Sequence, residues 1–362
     1  MTFPYPINVI CFNRPRYLRD LLFSIKSQTV ELPSELLHFW VDGFDGSKDE
    51  NLGRLNQTKE VVDLIRSLFP DSQIETSHEN LGIALNYWRA ELNSFEGLGA
   101  SSAFFLEEDL VLSPHYFEMI MRLDSQVAGD KDISHLSVTG DLAADLTSPL
   151  EYFQASGHSW GYLLRSWHHF ERKPLLEHYI NLIQRQPYYL RKGMELEILS
   201  DFYSRGVVIA GTSQDAIKDG LKTYFNRISI STLEPWATNI GVIGEHFQSE
   251  SPHHNRAFAQ DLKSFPLYFD PVNKRRLFLD GRIKTFGQAY QNYISSSAKK
   301  LGERDALLGE RDALLGERDA LLGERDALLG ERDALLGERD ALLGSKTLHF
   351  VKWVRKAMRL AK

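Results

Sequence analysis

Three consecutive carboxylates, Glu107, Glu108 and Asp109, directly follow the apolar run at residues 103–106. Because unpaired charges are costly inside a protein, we expect the run to be a central strand and the acids to lie where it emerges at its carboxyl end. Open α/β sheets bind ligands at that edge. Carboxylate oxygens suit Mg²⁺ or Mn²⁺, above all when substrate phosphates complete the coordination shell. The segment therefore predicts a metal-dependent enzyme that acts on a phosphorylated donor.

Other polar residues follow two further apolar runs. Asn13 and Arg14 come after the run at residues 7–12, and Asp42 comes after the run at residues 37–41. We expect these side chains to meet the acids at one edge of the sheet. Neither a Lys-Ser/Thr phosphate loop nor Gly-x-Gly-x-x-Gly follows the first run, which argues against a P-loop or dinucleotide-binding protein.

Alternating apolar runs and helical segments must position these residues. The predicted strands are 7–12, 37–41, 73–76 and 103–106, and the predicted helices are 17–28, 60–68 and 83–93. A repeated strand–helix order is typical of the α/β class, with a mainly parallel, doubly wound sheet flanked by helices.

Composition excludes some classes of protein. A net charge of −7 over 362 residues argues against a nucleic-acid binder. The lone cysteine, Cys11, has no partner in the chain, which indicates a reducing, cytoplasmic compartment. The chain has no run of 18 or more apolar residues, so we expect no membrane-spanning helix.

The chain divides into four parts. Residues 1–265 have the texture of a globular domain, 266–300 form a polar connecting segment, 301–344 hold the repeat Glu-Arg-Asp-Ala-Leu-Leu-Gly, and 345–362 form a basic amphipathic tail. The seven-residue period suggests a coiled coil, but each unit contains a glycine, which costs about 1 kcal/mol in a helix. Two interpretations stay open: a helical spacer that makes a homo-oligomer, and a loosely ordered linker.

The tail also has two interpretations. Phe350, Val354, Ala357 and Met358 recur at helical spacing, and basic residues lie largely elsewhere on the helix. Such a helix can lie in an anionic membrane interface, here peripherally at the inner face. The alternative is a helix that packs on its own domain or on a partner.

The motifs together resemble the GT-A class of nucleotide-sugar glycosyltransferases, most closely the N-acetylglucosaminyltransferase I family (family 13) and more distantly family 2. The resemblance covers about residues 5–250. The segments that carry it are Phe12-Asn13-Arg14-Pro15, Val41-Asp42-Gly43, Leu106-Glu107-Glu108-Asp109-Leu110 with Pro114-His115-Tyr116-Phe117, Gly157-His158-Ser159-Trp160-Gly161, Ser213-Gln214-Asp215-Ala216-Ile217 and Asn239-Ile240-Gly241-Val242 with Glu245-His246-Phe247.

This resemblance implies a role for each candidate residue. Asp109 would bind the metal, Asp215 would be the catalytic base, and Trp160 would lie under the acceptor sugar. The residues implied to contact the nucleotide-sugar donor are Asn13, Arg14, Asp42, Glu107, Glu108 and His246.

Plainer interpretations exist for several of these residues. Asp109 could be a surface acid, Glu107 and Glu108 could be solvated, and Asp42-Gly43 is a common turn pair. Asp215 could be the N-cap of a helix that starts near Ala216.

The resemblance implies a metal-dependent, inverting transferase that moves a sugar, by family likeness GlcNAc from a UDP-linked donor, to a glycan or glycoconjugate acceptor. One alternative is nucleotidyl transfer to a sugar phosphate, which expects a Gly-rich basic loop after the first strand. The other is a non-catalytic scaffold on a self-associating repeat.

Overall fold

The computed structural model describes most of the chain. The described residues are 2–44, 52–140, 152–154, 161–186, 191, 193–232, 234–241, six positions between 279 and 291, 304–344, and 349–355. His246 and Trp160 lie outside this set, as do the junctions at 265/266 and 300/301.

Strands and helices alternate through the first part of the chain. The strands are β1 Ile7–Cys11, β2 Leu37–Val41, β3 Gln73–Thr76, β4 Ser102–Glu107, β5 Leu110–Leu112, β6 Ile133–Ser137, β7 Tyr152–Gln154, β8 Gly161–Arg165, β9 Ile228–Thr232 and β10 Ala237–Asn239. The helices are α1 Pro15–Lys26, α2 Leu52–Leu68, α3 Ile83–Leu92, α4 Tyr116–Val127, α5 Ser166–Ile183, α6 Glu195–Ser204, α7 Gln214–Tyr224 and α8 Arg304–Gly344.

Eight of the strands form one mixed sheet in the order β3-β2-β1-β4-β8-β6-β9-β7. Strands β3, β2, β1 and β4 pair in parallel, as do β6 and β9, whereas β8 and β7 pair antiparallel to their neighbours. The predicted mainly parallel α/β sheet is therefore confirmed. The carboxyl ends of β1, β2 and β4 lie side by side, at the edge where the sequence placed its candidate residues.

Element boundaries differ from the prediction at four helix ends, of which the end of α3 differs by one residue. Helix α1 begins at Pro15, because the N–H that proline lacks would be unpaired in the first helical turn anyway. The helix ends at Lys26. Helix α2 begins at Leu52 rather than near residue 60. Its first turns carry few apolar residues, so hydrophobic spacing gave no signal for them.

Alternate residues of the strands pack against helices on opposite faces of the sheet. Val9 and Phe104 belong to a core shared with α1, α2 and α4. Their neighbours Ile10 and Phe105 face the other way and pack against Tyr87 of α3. A further cluster joins α3 to α5, α6 and α7. This layer brings α7 beneath the same sheet edge as the acids of β4.

The repeat forms one continuous helix, α8, so the loosely ordered interpretation is wrong for residues 304–344. Leu321 is buried against Leu279 and Phe286, and Leu314 and Leu328 pack beside it. These leucines recur every seven residues, so one stripe of the helix gains apolar contacts that offset the cost of its glycines. Self-association of the repeat stays a prediction.

No helix in the described residues is both long enough and apolar enough to cross a membrane.

Candidate active site

The three acids lie at the carboxyl end of β4, as the sequence predicted. Glu107 is the last residue of the strand and pairs in register with Ile10 of β1. The other two occupy the turn to β5, where Glu108 is 2% exposed and Asp109 is 7% exposed. The interpretation of Glu108 as a solvated residue is therefore wrong, and its burial requires compensating partners.

Arg14 supplies that compensation from the turn between β1 and α1. Its Nε lies 2.6 Å from Glu108 Oε1, and its Nη1 lies 2.8 Å from Asp109 Oδ2. The backbone N–H of Phe12 donates to Glu108 Oε2 at 2.9 Å. Burial raises the pKa of Glu108, and Arg14 opposes that rise. One guanidinium thus holds two adjacent carboxylates as a charge-assisted pair.

Asp109 is also held from strand β10. Asn239 Nδ2 donates to Asp109 Oδ1 at 3.3 Å, and the N–H of Ile240 donates to the Asp109 carbonyl at 2.8 Å. A Cβ at Gly241 would lie 2.3 Å from Asp109 Oδ2. Glycine is therefore required at position 241 for the backbone to approach the carboxylate this closely.

Two more carboxylates, Glu107 and Asp215, interact electrostatically near the end of β4. Tyr87 donates its hydroxyl to Glu107 Oε1 at 3.2 Å. Desolvation, followed by the charges of Asp109 and Asp215, raises the pKa of Glu107 well above its usual range. Asp215 lies far away in sequence, on the first turn of α7, yet it is close enough to act on Glu107.

Asp215 is not the N-cap of its helix. Ser213 occupies that position, and its Oγ accepts the N–H of Ala216 at 3.2 Å. Asp215 is partly exposed at the site edge. Burial raises its pKa to about 6, and Lys218 opposes the rise. A carboxylate that titrates near neutral pH is suited to general acid–base catalysis.

A buried ion network supports α7 from behind. Fully buried Glu91 contacts Arg172 at 2.9 Å, Lys218 at 2.8 Å and His169 at 3.1 Å. The ammonium of Lys218 also lies 4.3 Å from the centroid of the Tyr87 ring. Although burial works to raise it, Arg172 and then Lys218 hold the pKa of Glu91 well below its usual range. The network fixes α7 and Tyr87 relative to each other.

We expect Glu91→Ala to lower the free energy of unfolding by about 3–5 kcal/mol, because it leaves two buried cations without their partner. Urea unfolding followed by circular dichroism measures the change. The matched control is Glu60→Ala on exposed α2, with an expected change below about 0.5 kcal/mol. A loss under about 1 kcal/mol for Glu91→Ala would contradict the assignment of a buried, mutually dependent network.

Asp42 holds the backbone of a neighbouring turn. Its carboxylate accepts the N–H groups of Gly43 at 2.8 Å, Leu81 at 2.8 Å and Gly82 at 2.9 Å. Burial raises its pKa, and these N–H donors oppose the rise. Asp42 therefore fixes the start of α3, and its contact with the donor stays a prediction. Asn13 lies in the turn beside Arg14, also as an untested donor contact.

Sequence reasoning missed Tyr87, Glu91 and Lys218. Lys218 lies three residues after Asp215, which places both on one side of a helix. That spacing was the only signal in the sequence. The contacts of Tyr87 and Glu91 arise only when α3 packs against β4 and α7.

The acids at the end of β4 are the candidate ligands of a cation. The described residues contain no group of three or more His, Cys, Asp or Glu side chains arranged to hold a metal ion. Mg²⁺ typically takes one or two carboxylates and completes its shell with substrate phosphates and water. Asp109 is the candidate protein ligand for a cation that arrives with a phosphorylated donor, and such a cation would share its carboxylate with Arg14 and Asn239.

Comparisons with known proteins found distant structural likenesses only. No protein-family model matches the chain, and no curated protein matches it. A crystal structure of S. aureus TarS 1–349 is 11% identical with a TM-score of 0.41, over 89% of this chain and 83% of that one.

Two further solved structures are similar over smaller shares of their length. A longer S. aureus TarS structure is 10% identical with a TM-score of 0.40, over 89% of this chain and 50% of that one. An apo structure of WbbM, described as a bifunctional glycosyltransferase, is 8% identical with a TM-score of 0.30, over 51% of this chain and 35% of that one. These TM-scores support no conclusion about this chain.

Proposed function

We propose that the chain is a metal-dependent, inverting glycosyltransferase of the GT-A type, which moves a sugar from a nucleotide sugar to a hydroxyl of a glycan or glycoconjugate. The observation that carries the proposal is the cluster of Arg14, Glu108 and Asp109 at the end of β4, with Glu107 next to it and the charge of Asp215 acting on Glu107. A UDP-linked donor, with GlcNAc as its sugar, follows from the family resemblance.

The residues divide between donor and acceptor roles. Arg14, with its fixed guanidinium, is placed to bind donor phosphate oxygens, and Asn13 and Glu108 lie beside it. A bound Mg²⁺ or Mn²⁺ would supply Lewis-acid stabilisation of the leaving diphosphate, with Asp109 as its protein ligand. Glu107, which holds a proton more readily than a free carboxyl, is placed to hydrogen-bond the donor sugar.

Asp215 is the proposed base. It removes the proton of the acceptor hydroxyl as that oxygen attacks the anomeric carbon and the bond to the nucleoside diphosphate breaks. The acceptor oxygen forms the new glycosidic bond on the opposite face of the ring, and Asp215 keeps the proton until solvent takes it. Donor contact by His246 remains part of the proposal from the resemblance alone.

Two other functions have less support. Nucleotidyl transfer to a sugar phosphate expects a Gly-rich basic loop after β1, where this chain has Phe12-Asn13-Arg14-Pro15. A non-catalytic scaffold would not require a carboxyl such as Asp215, whose pKa is raised to about 6. Cytoplasmic location and a homo-oligomer formed through the repeat are further proposals, supported by Cys11 and the seven-residue period.

We expect a UDP-sugar with Mn²⁺ to raise the melting temperature more than either component alone. Binding to the native state adds about 2.7 kcal/mol at a ligand concentration 100 times Kd. A thermal-shift panel of nucleotide sugars, with and without Mn²⁺, measures it and ranks the donors. The control is the same panel on Arg14→Ala, which should lose most of the shift. If no nucleotide sugar shifts the wild-type protein, the proposed donor site is wrong.

A further inference from the structure

Two aromatic side chains of the tail are exposed together. Phe350 is 61% exposed and Trp353 is 65% exposed, and their ring centroids lie 6.0 Å apart. Val351 beside them is 45% exposed. Residues 349–355 are helical, so these side chains form an apolar patch on a short helix. The patch does not pack on the chain's own domain. For residues 349–355, this contradicts the interpretation of the tail as a helix that packs on its own domain.

The charge of the tail is opposite to that of the rest of the chain. Residues 345–362 contain six Lys or Arg and no Asp or Glu, whereas the whole chain has 49 acidic residues against 42 basic ones. An apolar helix face flanked only by cations is electrostatically complementary to an anionic surface.

The sequence separates the two kinds of residue around a helix. When the sequence 350–362 is projected onto an ideal helix of 3.6 residues per turn, its basic residues fall within an arc of about 120°. That arc contains Lys352, Arg355, Lys356, Arg359 and Lys362. The aromatic and aliphatic residues of the same stretch fill the opposite arc. This is the pattern of helices that lie in the interface of a bilayer, with tryptophan at the level of the headgroups.

The repeat helix α8 separates the tail from the acidic domain. Leu328 is the last leucine packed in the cluster that joins α8 to the domain, and Leu335 and Leu336 beyond it are exposed. From Leu328 to Gly344 the helix runs about 24 Å at 1.5 Å per residue. This is about three Debye lengths at physiological salt. A spacer of this length weakens the repulsion between an anionic surface and the acidic domain, although each unit of the repeat carries one net negative charge of its own.

We propose that the tail docks the chain on an anionic lipid bilayer, with Phe350 and Trp353 inserted between headgroups and Lys352 and Arg355 over lipid phosphates. The repeat helix serves as the spacer between bilayer and active site. This inference is independent of the proposed glycosyl transfer, because it uses no residue of the site.

Co-sedimentation of the full chain with vesicles tests the proposal. The vesicles are phosphatidylcholine alone or an equal mixture of phosphatidylcholine and phosphatidylglycerol. We expect at least about tenfold tighter binding to the mixed vesicles, and weaker binding in 0.5 M NaCl, because several cations approach the surface. Brominated lipids should quench the fluorescence of Trp353, measured as the difference between wild type and Trp353→Phe.

Paired variants separate the lipid surface from other partners. The double variant Phe350→Ala/Trp353→Ala should lose at least about tenfold in vesicle affinity. Phe23→Ala, which removes a similarly exposed aromatic (54%) from α1, should bind as wild type. Equal affinity for both vesicle types, no binding to either, or unchanged binding of the double variant would overturn the proposal. A second outcome would also overturn the proposal. If the wild type forms an oligomer and does not bind vesicles, and the double variant is a monomer, the patch is a protein interface.

Discussion

We expect Asp109→Asn to lower kcat for the nucleotide-sugar donor by about 10²–10³-fold, because a transition-state charge contact in a preorganised site is worth about that much. The substitution keeps the shape of the side chain and removes the negative charge that would hold the cation. Arg14 remains paired with Glu108 at 2.6 Å, so the turn should keep its conformation. Steady-state turnover over a range of Mn²⁺ concentrations measures the effect.

Two further measurements separate lost chemistry from lost fold. The melting temperature without ligand should fall moderately in Asp109→Asn, because the amide NH2 faces one of the two donors, Arg14 and Asn239, from which Asp109 accepts hydrogen bonds, whereas the extra shift caused by Mn²⁺ in the presence of UDP should disappear altogether. Asp63→Asn on the exposed side of α2 removes one negative charge away from the site and should leave turnover unchanged. Full activity in Asp109→Asn, with an unchanged dependence on Mn²⁺, would show that the metal has another ligand.

Asp215→Asn lowers kcat by about 10²–10⁴-fold, the usual contribution of a general base, while the donor KM changes little. The base acts in its deprotonated form, and its pKa is raised from 3.8 to about 6. The wild-type rate should therefore rise with pH through a midpoint near 6 and level off above it. The same limb should be absent in Asp215→Asn, as measured by pH–rate profiles.

The stability of Asp215→Asn gives a second readout, in which the substitution should not be harmful. A carboxyl whose folded pKa is raised favours the folded state below its unfolded value of 3.8, and that contribution is lost as pH rises through about 6. At pH 7.5 the Asp215→Asn variant should therefore be at least as stable as wild type. A less stable variant with a normal pH limb would mean that Asp215 is structural.

Asp219→Asn is the matched control on the same helix. The charge of Asp219 raises the pKa of Asp215, so removing that charge should move the limb to lower pH and leave the plateau rate unchanged. If Asp219→Asn loses as much of the plateau rate as Asp215→Asn, the assignment of Asp215 as the base is wrong.

Glu108 shows where local reasoning was correct and where it failed. The abrupt change from apolar residues to acids correctly placed the end of β4, because strand periodicity and charge are local properties of the chain. The expectation that such acids avoid burial was wrong for Glu108. The reason is Arg14, which the fold of β1 against β4 brings within 2.6 Å.

Asp42 and α8 also show which features the sequence predicts and which depend on tertiary contacts. The turn after β2 was predictable, but three backbone donors from two turns meet the Asp42 carboxylate only after α3 has packed. Because of its glycines, the repeat sequence did not distinguish a helix from a linker. In the structure, the contacts of Leu321 with Leu279 and Phe286 stabilise the helix.

The sequence by itself determined the α/β order, the strand-end position of the acids, the period of the repeat and the opposite charge of the tail. Each of these depends on residues that are close in the chain. The tertiary structure decided which charges are paired, that the charge of Asp215 acts on Glu107, and that Phe350 and Trp353 remain exposed. Those features depend on contacts between distant elements, whose energies exist only once the helices have packed against the sheet.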